Sequence, residues 1–171
     1  MKSIAIVVPS RQVDIQSFIA CMESWKETFN VSVVSISMGS IHLNDGSEIM
    51  SSATIAQIDA ISFDGIAVMG GSGSKESLWD NPPLIDKLQC FDRARKLVAA
   101  IGTGAMALAQ AGLLVGKSAT TLDDIASIAD LKSYGAIYDR NDVVTVTWII
   151  TASGKDPQSF AEAVKEFMAA S

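Results

Sequence analysis

Short apolar runs rich in β-branched residues alternate along this chain with longer segments of 3.6-residue period. That alternation leaves few folds open. Parallel strands need long crossovers, and crossovers that are helices cover both faces of the sheet they connect, with one preferred hand. The expectation is an α/β fold: a three-layer α/β/α sandwich around a mainly parallel central sheet.

The first strand is predicted at Ile4–Val8, where an unbroken apolar run implies burial on both faces. A helix is predicted from Asp14 to Phe29, with Ile15, Phe18, Ile19, Met22 and Phe29 on one stripe. Val31–Ser37 follows as the second strand. Between Ser40 and Ser52, Asn44-Asp45-Gly46 separates two short alternating runs, a hairpin signal read as a small appendage. Thr54–Ile61 reads as a short helix and "FDGIAVMGG" as a strand ending in a glycine pair. Pro82 to Arg95 is predicted helical, with proline in the first turn.

The stretch "KLVAAIGTGAMALAQAGLLVGKSATT", Lys96 to Thr121, runs from an apolar strand through Gly102-Thr103-Gly104 into an alanine-rich helix. After it come a brief extended piece at Ala119–Thr121, a helix at Asp123–Tyr134 ending at Gly135, and strands at Ala136–Asp139 and Val143–Thr151. Asp156 to Ala170 closes the chain as an amphipathic helix. With no linker-like segment and no internal repeat, residues 1–171 read as a single domain.

Charge narrows the function classes. A formal net charge of −6 disfavours phosphate backbones and anionic membranes. The one modest basic cluster, Arg93, Arg95 and Lys96, reads as a solvated helix end. Neither nucleic-acid nor membrane binding is expected. The five-residue apolar run near the start is too short for a signal-peptide core or a membrane span, so a cytoplasmic location is expected. Cys21 and Cys90 have no CxxC or Cys/His spacing, so they read as packed, reduced thiols with no metal site and no cofactor implied.

Both glycine-rich nucleotide signatures fail on spacing. "GGSGSK" at Gly70–Lys75 has Glu76 where a dinucleotide fingerprint needs glycine, and "GKS" at Gly116–Ser118 has Ala111 where a phosphate loop needs one. The lone His42 reads as a surface imidazole in the hairpin, and Ser72 and Ser74 as turn and cap residues. Trp79 and Trp148 read as core or interface residues, and Trp79 alternatively as a pocket wall.

Four segments in order carry a resemblance: "DGIAVMGGSGSKESLWDNPPLIDKL", "KLVAAIGTGAMALAQAGLLVGKSATT", "LKSYGAIYDRNDVV" and "WIITASGKDPQSFAEAVKEFM". Together they resemble the ThiJ/PfpI superfamily of glutaminase-like α/β sandwich proteins over nearly the whole chain. The resemblance implies a flavodoxin-like sandwich and a homodimer or larger homo-oligomer. It implies an oxyanion-binding strand end, matched by Met69-Gly70-Gly71, and a nucleophile elbow, normally Ala-Ile-Cys-His-Gly or a variant.

Position for position, the family cysteine falls on Gly102 and the next residue on Thr103. The family's acidic residue after the first strand falls on Asp14 or, in a shifted register, Gln16. Its Thr-Ser-Arg-Gly-Pro reads Thr151-Ala152-Ser153-Gly154-Lys155 here, without the arginine.

Two readings follow. The first is a non-enzymatic small-ligand-binding or assembly protein. In it the N–H groups of Gly102 to Ala105, at a helix N-terminus, join those of Gly70 and Gly71 to hold a small anion or carboxylate, with Gly70, Gly71, Gly102, Thr103 and Gly104 as binding residues. The second is a hydrolase, hydratase or glyoxalase-like enzyme working through Thr103 with Asp14. A threonine hydroxyl needs a base to take its proton, and none is evident beside it, which favours the first.

Overall fold

The structure, a computed structural model, describes residues 1–171. In chain order the elements are β1 (Ser3–Val7), α1 (Ile15–Trp25), β2 (Asn30–Ser35), β3 (Gly39–His42), β4 (Glu48–Ser51), β5 (Ala53–Thr54), β6 (Gly65–Val68), α2 (Ser74–Ser77) and α3 (Pro82–Arg93). They continue with β7 (Leu97–Ile101), α4 (Ala105–Gln110), β8 (Ser118–Ala119), α5 (Ile125–Ser133), β9 (Ile137–Tyr138), β10 (Val143–Val146), β11 (Ile149–Ala152) and α6 (Pro157–Ala170).

Seven strands form one sheet in the order β10-β11-β7-β6-β1-β2-β5. Every pairing is parallel except β10 with β11. The five inner strands, taken in chain order, follow the 2-1-3-4-5 arrangement of flavodoxin-like sheets, with a switch of direction between β1 and β6.

The strand period of two sorts side chains into two cores. Ile4 and Ile6 of β1 and Val8 just after it, with Ala67, Leu97, Ala99 and Ile150, face α1 and α6 on one side. Ala5, Val7, Ile66, Val68, Val98 and Ala100 face α3 and α4 on the other. On the first side Trp25 and Phe160 meet with ring centroids 6.3 Å apart, and the Trp25 indole N–H donates to the Ala161 carbonyl at 2.9 Å. A buried indole with its polar edge satisfied locks α1 against α6.

Several expectations are corrected by tertiary contacts. Val143–Thr151 is not one strand but two antiparallel ones, reversed over Thr147-Trp148 with Thr147 at φ +57°. No glycine or proline marks that turn. It is held instead by Trp148, whose indole donates to Asp92 at 2.8 Å and lies under the Arg95 guanidinium. Thr54–Ile61 supplies only a single 3-10 turn at Ile55–Gln57, started by the Gln57 side chain accepting the Thr54 N–H at 2.9 Å and ended by Ile58, which is already extended.

Helix α1 ends at Trp25, four residues before Phe29. Its buried face is Ser17, Phe18, Cys21 and Trp25, whereas Ile19 is 44% exposed. The phase of the stripe is set by Trp25 filling the gap to α6. The hairpin β3–β4 forms as expected over Asn44-Asp45-Gly46, with Asp45 accepting the Ser47 N–H at 2.9 Å and Gly46 at φ +89°. No helix is long and apolar enough to cross a membrane.

Candidate functional site

In doubly wound sheets ligands bind beyond the carboxyl ends of the strands, beside the switch point. Here the segments leaving β1, β6, β7 and β11 converge on one cavity of about 340 Å³. The segment after β1 contributes Asp14 and Ser17, and that after β6 contributes Gly70, Gly71 and Ser72. The end of β7 contributes Ile101, Gly102 and Thr103, and the segment after β11 contributes Ser153 and Gly154. Leu122 and Asn44 complete the wall. A depression of similar size on α6, around Asp156, Glu162 and Glu166, draws on that helix alone and is open to solvent.

Gly102 begins a 3-10 turn at φ +59°, the left-handed region that disfavours a side chain. A Cβ placed there would meet nothing nearer than the Ser153 carbonyl oxygen at 3.9 Å, so the volume above the elbow is free. Gly104 lies outside the cavity wall, wedged against the sheet, where a Cβ would sit 2.5 Å from the Val68 carbonyl oxygen. Gly71, at φ +145°, is pressed as closely on Gln12.

The Thr103 hydroxyl is engaged on every side. It accepts the Gly71 N–H at 3.0 Å, lies 3.0 Å from the Ser74 hydroxyl, and lies within 3.2 Å of the Gly71 carbonyl, to which it donates. Its carbonyl accepts the Trp79 indole N–H at 3.2 Å. Thr103 therefore fastens the elbow to the loop after β6, and Trp79 is a strut beneath it. The chain's two thiols are elsewhere: Cys21 is buried in α1, and Cys90 is partly exposed in α3 beside Arg93.

The set of free N–H groups differs from the expectation. The Ala105 N–H bonds the carbonyls of Gly102 and Thr103, because the chain tightens into a 3-10 turn, and the Gly71 N–H bonds Thr103. Of the expected donors Gly70 keeps an N–H with no protein acceptor; Ser17, Leu122 and Gly154 of the cavity wall do as well, whereas the Val13–Gly71 bridge turns the Ser72 N–H toward the Gln12 carbonyl.

Asp14 occupies the N-cap position of α1 yet makes no cap hydrogen bond. The Asn44 side chain takes the Ile15 N–H at 3.1 Å, and Asp14 receives the Ser17 hydroxyl at 2.6 Å. The hairpin is thus part of the site. Val13 bridges Leu43 on one side and Gly71 on the other, drawing the hairpin tip, the start of α1 and the glycine loop together. Gln16 is exposed and absent from the wall. No group of three or more His, Cys, Asp or Glu side chains is placed to hold a metal ion.

The model of the DJ-1/PfpI family matches residues 2–167. The chain belongs to the DJ-1/PfpI family. An uncharacterized protein of Methanocaldococcus jannaschii is 38% identical over 126 residues, which are 74% of this chain and 62% of that protein. The match thus spans less than two thirds of that relative's length. Among solved structures, a ThiJ/PfpI domain protein of Brachyspira murdochii superposes with a TM-score of 0.94 at 23% identity, covering 99% of this chain and 97% of that one. Drosophila melanogaster DJ-1beta superposes with a TM-score of 0.87 at 23% identity, over 100% of this chain and 92% of that one. These two likenesses show the shared fold, the flavodoxin-like α/β sandwich.

The place of Ser17 was legible in principle, one helical turn after Asp14, and that of Ser153-Gly154 by their position after the last strand. Asn44 and Leu122 reach the DJ-1/PfpI cavity from distant segments, and no local pattern marks them.

Proposed function

We propose that this DJ-1/PfpI family member binds a small ligand without turning it over, its elbow carrying Gly102-Thr103 where the family pattern has a cysteine and its neighbour. The observation that carries the reading is Gly102 itself: a left-handed elbow residue with open space above it and no side chain to attack a substrate. The alternative nucleophile, Thr103, has its hydroxyl hydrogen-bonded to Gly71 and Ser74, and neither is a base. The binding residues in this reading are Gly70, Gly71, Gly102 and Thr103 with Asp14, and the first ligand class to test is a small anion or carboxylate.

The same reading takes the chain as one domain that assembles as a homodimer or larger homo-oligomer in the cytoplasm. Two unpaired thiols suit a reducing compartment, and exposed apolar side chains such as Met38 and Met50 on the hairpin suit a self-interface. Light scattering at micromolar concentration tests the assembly, and a monomer mass counts against it.

The test of function is an assay of wild type, Gly102→Cys and Thr103→Ala on methylglyoxal and chromogenic amides. Wild type is expected to be inactive. Robust wild-type turnover abolished by Thr103→Ala would replace this reading with an enzyme working through Thr103 and Asp14.

A further inference from the structure

The cavity wall offers both a charged acceptor and unpaired donors. Asp14 brings the one carboxylate among the lining residues, and no lysine, arginine or histidine accompanies it. The Asp14 carboxylate makes no cap hydrogen bond to α1, answers only to the Ser17 hydroxyl and keeps acceptor capacity. The nearest cation along the chain, Lys155, follows Gly154 and is paired with Asp123 at 2.6 Å. A bare anion would therefore sit beside a carboxylate with no countercharge in the wall.

The donors include close neighbours of Asp14, whose own N–H donates to the Gly70 carbonyl at 3.0 Å. Ser17, Gly70 and Gly154 have N–H groups that no protein atom accepts, and Asn44, whose oxygen is engaged with Ile15, has its amide NH₂ without a protein partner. The floor beside them is nearly bare backbone. A Cβ on Gly102 or on Gly154 would find its nearest neighbour 3.9 Å away. Ile101 and Leu122 provide apolar wall beside that space.

We propose that the ligand is a small neutral α-amino acid, its ammonium on Asp14, its carboxylate on the N–H groups of Gly70 and Gly154, and its side chain over Gly102. This rests on the ligand-binding reading above and sharpens it, since one charge alone satisfies half of the wall. A zwitterion satisfies both halves.

The experiment is a titration of ¹⁵N-labelled protein, followed by NMR, with L-alanine, acetate and ethylammonium as separate probes on wild type and Asp14→Asn. L-alanine is expected to shift the Gly70, Gly102 and Gly154 amides saturably, with a Kd at least tenfold below that of acetate or ethylammonium. In Asp14→Asn that advantage over acetate is expected to disappear. Acetate or ethylammonium binding as tightly as L-alanine overturns the proposal, as does an Asp14→Asn variant that binds L-alanine unchanged, or the absence of a saturable shift with all three probes. The wild-type comparison needs no variant to fold. Methylglyoxal turnover by the same sample tests the non-enzymatic reading separately.

Discussion

Asn44 and Ile15, 29 residues apart, are joined by a hydrogen bond of 3.1 Å from the Ile15 N–H to the Asn44 side-chain oxygen. A residue at the tip of the hairpin thus takes the first of the unpaired N–H groups at the start of α1, while Asp14, at the N-cap position, makes no cap hydrogen bond and lines the cavity. Asn44→Ala is expected to lower stability by about 1 kcal/mol, the usual effect of losing a helix cap. Asn44→Asp, which keeps the acceptor, is expected to lose less. Urea denaturation of the two variants checks this, and equal losses would show that the cap is not what Asn44 supplies.

Glycine is required at three places in and beneath the site for different reasons, and alanine scanning separates them. At Gly102 the only obstacle is the left-handed backbone, so Gly102→Ala is expected to cost about 1–2 kcal/mol. In a chain of this size that is a fall in Tm of roughly 2–8 °C. At Gly104 and Gly71 a Cβ would collide with backbone oxygens, 2.5 Å from Val68 and 2.1 Å from Gln12. Those two variants are expected to melt well below Gly102→Ala, and a similar Tm for all three would contradict the geometry.

Removal of the Thr103 hydroxyl leaves the Gly71 N–H without its acceptor and Ser74, 1% exposed, without its partner. Thr103→Val, which keeps the shape, is expected to destabilise by about 1–3 kcal/mol. Thr103→Ser is expected to stay near wild type. Amide exchange at Gly71 should accelerate in the valine variant alone, which a merely volumetric role for Thr103 would not produce.

The two thiols should differ in reactivity. Burial pushes the Cys21 thiol far above its ordinary range, so it stays protonated and shielded, while Cys90 is partly exposed. Native protein at pH 8 is expected to give one fast thiol with a chromogenic disulfide and two after denaturation, and Cys90→Ser to remove the fast one. Because the folded-state pKa of Cys21 is raised, its contribution to stability is present below the unfolded thiol's value of about 8.5 and is lost as pH rises beyond it. Cys21→Ala should flatten that alkaline decline.

Much of the fold was legible because its signals are local. The apolar runs at Ile4–Val8 and Leu97–Ile101, the Asn44-Asp45-Gly46 turn and the helix stop at Gly135 are each decided by a few neighbouring residues, and each lies where its pattern placed it, within a residue or two. The turn at Thr147 was not legible, because the residues holding it are Asp92 and Arg95 on another element. The buried face of α1 was legible in part: Phe18 is buried and Ile15 and Met22 pack against the core as the stripe implied, but Ile19 is exposed, and Trp25 faces inward only because α6 is there to receive it.

For the cavity the division is sharper. Chain order alone set glycines at the ends of β6 and β7 and a carboxylate after β1, since parallel strands bring their carboxyl ends to one edge of the sheet. Tertiary structure decided which of their groups remain free. The 3-10 turn at Gly102 engaged Ala105, Thr103 took the Gly71 N–H, and Asn44 took the Ile15 N–H beside Asp14. Hydrogen bonds between segments dozens of residues apart settle which donors and acceptors are left over, and a one-dimensional pattern has no record of which segments will meet.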